Sequence, residues 1–395
     1  MLIVPMQEVR VGMVLATNVP HPEDPAQDLL KAGFVLDAPV LSRLADLGID
    51  SLYIDYPDLR ELDQILLPTL SPPRQLLYKQ IKATIAAIQK TAKPTVGFAD
   101  YYVAVRELVL TLMQVGEHPV YVELLASRLG DDAVAHAAAV AHLSLVLGIQ
   151  MRRYLIDQRS RLPASHACEV INLGVAGMLH DLGKAKLPPP LRNCSSINPP
   201  ADPAARAEWE SHPQLAYDMI RGGVESTASV AVLQHHQRFD GNGFPIGQAR
   251  DGSPLRYSGT KTHVFARLLC AADLFDRLAA GPEARRPNIE VLHLMRTQYA
   301  AWLDPEVFIS LAQAIPPFPP GTKVELSDGT SAVISGLNPE NPYRPPVRRF
   351  APGTTTFEPG QILLAADGAP QIESVGGVCV PDLIPARAPR ARACA

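Results

Sequence analysis

The sequence predicts a mainly α-helical protein with a small α+β module at the N-terminus and a small β-rich module at the C-terminus. Three observations carry this reading. Apolar residues recur at helical spacing through the middle of the chain, short apolar runs cut by Gly and Pro precede it, and strand-like runs follow the break Pro316-Pro317-Phe318-Pro319-Pro320. At 395 residues the chain exceeds the usual size of one compact core, which favours a main domain with attachments. With 47% hydrophobic and 19% charged residues its composition is that of a globular chain.

Taken in order, residues 1–60 hold the runs Leu2 to Val4, Met13 to Ala16 and Leu52 to Ile54, and a helix from Pro39 to Leu47 stopped by Gly48. Residues 61–97 are expected to be a helical linker, with Leu76, Leu77, Ile81, Ile85 and Ile88 at helical spacing before the Lys93-Pro94 break. Residues 98–316 form the helical domain, on spacings such as Val103, Leu108, Leu112 and Val264, Leu268, Ala272, Phe275. Proline-bearing loops at Leu187 to Pro203 and Phe239 to Pro254 interrupt it. Residues 317–387 offer short strands at Lys323 to Leu326, Ala332 to Ile334, Gln361 to Leu364 and Val378 to Val380, read as a barrel-like module. The Ala/Arg/Pro-rich tail, 388–395, is expected to be disordered.

A net charge of −4 without a long Lys/Arg run gives no footprint for a nucleic-acid polymer or an anionic membrane. The first residues lack a basic stretch followed by a long apolar one, and no later segment offers about 18 uninterrupted apolar residues, so a soluble, cytoplasmic protein is expected. The five cysteines are scattered without a CxxC pair, which argues against a disulfide framework and a thiolate zinc site.

The chemistry concentrates in a few places. His180-Asp181 closes the apolar run Val175 to Leu179 and precedes Leu182-Gly183-Lys184. A carboxylate there needs a partner, and two readings stand: a hydrogen-bonded pair, or a metal site using both groups. Gly174 and Gly177 would admit another helix closely, and Gly183 would end this one so that Lys184 projects near the same place. His235-His236 ends a second apolar helix before the turn Asp240-Gly241-Asn242-Gly243-Phe244-Pro245, as metal donors or as surface histidines. Asp273 sits in the helical run Val264 to Asp276, on the side of Ala266, Leu269 and Cys270, while Asp276 is expected to face water. His212 stands before Pro213, and Asp132 and His136, four apart, share a helix face.

The order of these groups resembles the HD-GYP branch of the HD phosphohydrolase superfamily: a helix bearing His136, then His180-Asp181, His212-Pro213, His235-His236 with Asp-Gly-x-Gly-Phe-Pro, and Ala272-Asp273. The resemblance is dense from Asp131 to Leu278. The opening module, with Val11-Gly12-Met13 and the stretches Leu29 to Gly33 and Tyr53 to Asp55, also looks like an N-terminal extension found on some members.

The resemblance implies a helical metallophosphohydrolase domain in which His136, His180, Asp181 and Asp273 hold one divalent ion and Asp181 bridges to a second held by His212, His235 and His236. It implies Asp132 as a ligand of a third. Nitrogen and oxygen donors without thiolate suit iron or manganese. Such ions lower the pKa of a bridging water, and the resulting hydroxide attacks a phosphodiester in line. Lys184 would neutralise a phosphoryl oxygen as a point charge. The implied substrate is cyclic di-GMP, opened to pGpG and onward to GMP, contacted by Lys184 and Phe244 and, where the family carries Arg-Pro-Tyr-Arg/Lys, by Arg285 and Arg286. The chain departs from the family in having Gln237 for a common Glu, Phe244 for Tyr, and Leu191-Arg192-Asn193-Cys194 where a lysine is usual. Those departures keep two alternatives open: hydrolysis of another nucleotide phosphoester, and a catalytically silent nucleotide-binding or scaffolding protein. The flanking modules are expected to dock signalling-protein partners, and a homodimer is compatible with the sequence.

Overall fold

A computed structural model describes residues 1–21, 27–49, 51–63, 71–90, 98–115, 132–249, 251–280, 285–351, 356–358, 360–366 and 368–385. Near the N-terminus, β1 (Leu2–Pro5) pairs antiparallel with β4 (Ser51–Ile54), Leu2 opposite Ile54, and β2 (Val19–Pro20) pairs with β3 (Asp28–Leu30). Between them α1 (Ala38–Asp46) starts where the Asp37 carboxylate accepts from the Val40 N–H, with a proline in its first turn. It ends before Gly48, whose φ of +73° only glycine adopts cheaply. The short α2 (Arg60–Asp63) leads out of this module.

Thirteen further helices follow among the described residues. The first twelve are α3 (Ser71–Lys90), α4 (Phe98–Val115), α5 (Asp132–Gln150), α6 (Arg152–Gln158), α7 (Ala164–Ala167), α8 (Ile171–Leu179), α9 (Pro189–Arg192), α10 (Pro203–Trp209), α11 (His212–Ile220), α12 (Ser226–Gln234), α13 (Val264–Ala279) and α14 (Asn288–Thr297). A last helix, α15 (Pro305–Ala314), closes the series. The domain is mainly helical, as the apolar spacing predicts.

Its axis is α5, which packs against α8 on one side and α13 on another. Among the described residues α5 is the one helix long and apolar enough to cross a membrane, and most of that stretch is buried inside the protein. Gly177 is what lets α8 approach it, since a Cβ there would stand 2.6 Å from the Ala141 Cα.

Three expectations need correction here. Residues 71–90 are no mere linker, because Leu77, Ile81 and Ile88 are fully buried in the main core, whereas Leu76 points outward. On α4 the buried face is Tyr101, Val105, Leu108 and Leu112. Val103 lies roughly 140° round the helix from Leu108 and is exposed.

The third correction concerns the C-terminal module. It is an open antiparallel sheet in the order β10-β9-β8-β7-β11-β12, not a closed barrel, with β10 and β12 at its edges among the described residues. The strands are β7 (Lys323–Leu326), β8 (Ser331–Ile334), β9 (Pro346–Arg349), β10 (Ile362–Leu363), β11 (Ile372–Val375) and β12 (Val378–Cys379). A small hairpin of β5 (Gly247–Gln248) and β6 (Pro254–Leu255) lies on the loop before α13. The tail, 388–395, falls outside the described residues.

The two terminal modules share a core. Val333 and Phe357 bury themselves among Leu15, Leu44, Leu52 and Ile54, and the Phe357 ring meets Tyr56 at 5.8 Å and Phe350 at 4.6 Å between centroids. Lys323 pairs with Glu8 at 3.4 Å at the rim. Phe357→Ala is expected to cost about 3 kcal/mol. Hydrogen exchange should show the loss as reduced protection in β1 and β4, far from the substitution in sequence.

Candidate metal centre

Helix ends deliver most of the predicted donors to one place. His180 follows the last turn of α8, His212 begins α11 directly after α10, His235 and His236 follow α12, His136 lies one turn into α5, and Asp273 sits in the middle of α13. The last carbonyls of a helix lack intrahelical partners. Three histidines exploit that by the same device, each donating Nδ1–H to the carbonyl three residues back: His180 to Gly177 at 2.8 Å, His212 to Trp209 at 2.7 Å and His235 to Val232 at 2.6 Å. A carbonyl can only accept, so these rings carry their proton on Nδ1 and present bare Nε2 lone pairs inward.

Asp181 stands between the Nε2 atoms. Its Oδ1 is 3.4 Å from His212 and 3.8 Å from His235, and its Oδ2 is 3.6 Å from His180 and 3.7 Å from His136. The His136 and His180 Nε2 atoms lie 3.2 Å apart, those of His212 and His236 3.1 Å apart. Two clusters result, His136-His180-Asp181 and Asp181-His212-His235-His236, each compact enough to surround one cation and sharing the same carboxylate. Asp273 Oδ1 joins the first at 3.0 Å from His136 Nε2 and 3.9 Å from His180 Nε2.

The residues fit a metal on their own chemistry. Among the described residues, Asp181 Oδ1 and His235 Nε2 are buried acceptors without a hydrogen-bond donor, a costly arrangement that a cation relieves. Burial pushes the pKa of His180, His212 and His235 down to about 4 and holds that of His236 well below the usual imidazole range, so these rings stay neutral and able to donate a lone pair. Burial would raise the Asp181 pKa, but Lys184, His180, His212 and Arg277 outweigh it and hold the carboxylate ionised. Burial and Arg277 push His136 down, yet its hydrogen bonds to Asp273 and Asp276 win and leave it raised.

Two participants escaped sequence reasoning. Asp276 does not face water: its Oδ2 lies 2.7 Å from His136 Nδ1, where it orients the ring. Arg277, on the next position of α13, donates to Asp181 Oδ2 at 2.6 Å and lies 3.5 Å from Asp273 Oδ1. The i, i+4 spacing of Asp273 and Arg277 was the available signal, but the link of Asp276 to a histidine 140 positions away had none. Asp276→Ala should loosen His136 and weaken metal affinity by ~10- to 100-fold, read by titration against a competing chelator.

The remaining expectations divide. Lys184 is buried against the centre, its Nζ 2.8 Å from Asp181 Oδ2 and 5.8 Å from the centre of the Trp209 ring. Gly183 does not end a helix, since α8 has already stopped; it lies in the 3-10 turn Leu182–Lys186, where a Cβ would come within 2.0 Å of the His212 carbonyl oxygen. Phe244 stacks at 4.6 Å on His236. Gln237, where the family commonly has Glu, donates from Nε2 to the Pro245 carbonyl at 2.6 Å, a bond an ionised carboxylate could not make. Arg286 is not brought to the centre; it binds the Leu278 carbonyl at 2.6 Å and Glu290 at 3.5 Å. Arg285 is half-buried and is not part of the pocket beside the centre. The Asp132 side chain lies outside the described residues, although Asp132 is the first residue of α5.

Comparison with known proteins agrees with this geometry. The HD domain family matches residues 149–307, a span that begins after His136 and takes in the other metal-centre residues. The chain is 25% identical over 380 residues to the cyclic di-GMP phosphodiesterase PA4108 of Pseudomonas aeruginosa, covering 88% of this chain and 84% of that protein. It is 29% identical over 118 residues to the cyclic di-GMP phosphodiesterase response regulator RpfG of Xanthomonas campestris pv. campestris, 28% of this chain and 27% of the relative. A 3'3'-cGAMP-specific phosphodiesterase 3 of Vibrio cholerae is 27% identical over 146 residues, 35% of this chain and 28% of that one. Residues 149–307 therefore match the HD domain family, and the similarity to named cyclic di-GMP phosphodiesterases is what an HD-GYP domain protein would show.

Proposed function

We propose that this metal-dependent phosphodiesterase hydrolyses cyclic di-GMP to pGpG and onward to GMP. The observation that carries the reading is the single carboxylate, Asp181, shared between a His136-His180 cluster and a His212-His235-His236 cluster. His136, His180, Asp181 and Asp273 would hold one divalent ion and Asp181, His212, His235 and His236 a second, iron or manganese by donor type. Asp132 is assigned to a third. Bound there, such ions supply a nucleophilic water at neutral pH and neutralise charge on phosphoryl oxygens.

The chain's own groups do the rest. Arg277 holds Asp181 and Asp273 in one geometry, so the donor set is fixed before substrate arrives. Lys184, pressed between Asp181 and the face of Trp209, keeps a positive charge at the edge of the centre where a phosphoryl oxygen would gain charge. Trp209 and Phe244, packed with His212 and His236, wall that edge with aromatic surface and exclude water from it.

A second reading, another cyclic dinucleotide as the preferred substrate, draws on a specific observation: Arg286 is occupied with the end of α13 and Glu290, leaving a family substrate contact unfilled. The test is to purify the chain anaerobically, count metal per protomer, and measure turnover of cyclic di-GMP beside 3'3'-cGAMP. About two ions per chain with cyclic di-GMP as the faster substrate supports the first reading. Metal with preference for 3'3'-cGAMP selects the second. Folded, remetallated protein that cleaves neither would return the chain to a nucleotide-binding or scaffolding role through its terminal modules.

A further inference from the structure

The second metal cluster opens sideways into a pocket. His236 and Asp273 form its inner wall, and Ser196, Arg238, Phe244, Cys270, Leu274 and Trp302 complete it. One of these groups carries a charge that no ion pair among the described residues takes up. Arg238 is half-buried, and among the described residues its guanidinium makes no hydrogen bond and no salt bridge. Its one contact is stacking, with Cζ 3.4 Å from the centre of the Trp302 ring. A guanidinium held this close over an indole ring still has N–H groups to offer a planar or paired acceptor.

The stack is built, not incidental. The backbone beside Arg238 is tied to the backbone beside Trp302 by Phe239 N–H to the Trp302 carbonyl at 2.9 Å and Asp240 N–H to the Ala301 carbonyl at 3.1 Å. On its other side the chain folds back so tightly that a Cβ on Gly243 would stand 2.5 Å from the Arg238 nitrogen. Lys184, the cation next to Asp181, is already committed to that carboxylate, so the two positive groups serve different ends of the site.

We propose that Arg238, stacked on Trp302, is a specificity-determining residue that grips a paired acceptor on the substrate beyond the phosphodiester being cleaved. This rests on the phosphodiesterase reading. In a cyclic dinucleotide two groups present such a pair: the second phosphodiester, and the O6/N7 edge of a guanine. Neither exists in bis(p-nitrophenyl) phosphate, which carries only the scissile diester.

The experiment compares the wild type with Arg238→Ala and Arg238→Lys. Arg238→Ala should lower kcat/KM for cyclic di-GMP by ~10- to 100-fold, mostly through KM, and the fall should be at least ~10-fold larger than any fall with bis(p-nitrophenyl) phosphate. Arg238→Lys, with charge but no fork, should recover only part of it. Calorimetric binding of non-hydrolysable phosphorothioate analogues of cyclic di-GMP and cyclic di-AMP to the metal-loaded protein reads the same contact without turnover. Equal weakening of both ligands assigns the phosphate, and weakening of cyclic di-GMP alone assigns the guanine edge. Equal loss on the dinucleotide and the small diester, or no loss of dinucleotide affinity, overturns the proposal. A wild type that binds cyclic di-GMP through Arg238 yet cleaves no diester would instead count against the phosphodiesterase reading.

Discussion

Asp181→Ala is expected to reduce phosphodiesterase turnover by at least ~10²-fold and to strip metal from the protein. Among the described residues no other side chain belongs to both clusters, so its loss removes a donor from each site and the link between them. The same substitution leaves Lys184 and Arg277 facing each other without the carboxylate they share at 2.8 and 2.6 Å. Unpaired charges in a largely buried setting cost ~3–5 kcal/mol, so part of the effect will be on stability. The check is elemental analysis of metal per chain beside turnover and a thermal melt. An Asp181→Ala protein that retains two ions and wild-type turnover would refute the shared-carboxylate centre.

Gly183→Ala should be the most disruptive single-methyl change in the domain. Its Cβ would lie 2.0 Å from the His212 carbonyl oxygen and 2.9 Å from the Ala216 nitrogen, backbone atoms that move only if α11 moves. Overpacking of this kind costs ~3 kcal/mol, equivalent to a fall in Tm of roughly 6–12 °C. Because α11 begins with His212, the displacement should also lower metal occupancy. A melt within 2 °C of wild type would show that the turn absorbs the methyl group and that the close packing of α11 is not required.

The main domain was legible because its helices bury broad faces, and spacing reports a buried face. The donors were legible as residue types in order: His136, His180-Asp181, His212, His235-His236 and Asp273 all reach one place. What spacing could not report was which lone pair points inward. That depends on the three back-bonds to Gly177, Trp209 and Val232, which are local but leave no compositional trace. Asp276 was misread because exposure is the ordinary fate of an aspartate, and only the crossing of α13 over α5 sets it on His136. Two strands of the C-terminal sheet were missed for a similar reason. β9 reads Pro-Val-Arg-Arg and β11 Ile-Glu-Ser-Val, too polar to signal strands until β7 and β8 lie beside them.

The shared core of the terminal modules changes what the connectivity of the chain means. Since Leu15, Leu52 and Ile54 pack with Val333 and Phe357, the helical domain is in topological terms an insertion within one small body, left by the chain after α2 and rejoined at β7. A peptide-bond break in either crossing would leave every part still held by the other. A ligand that clasps the small body would therefore meet the helical domain through two connections, at α3 and at α15.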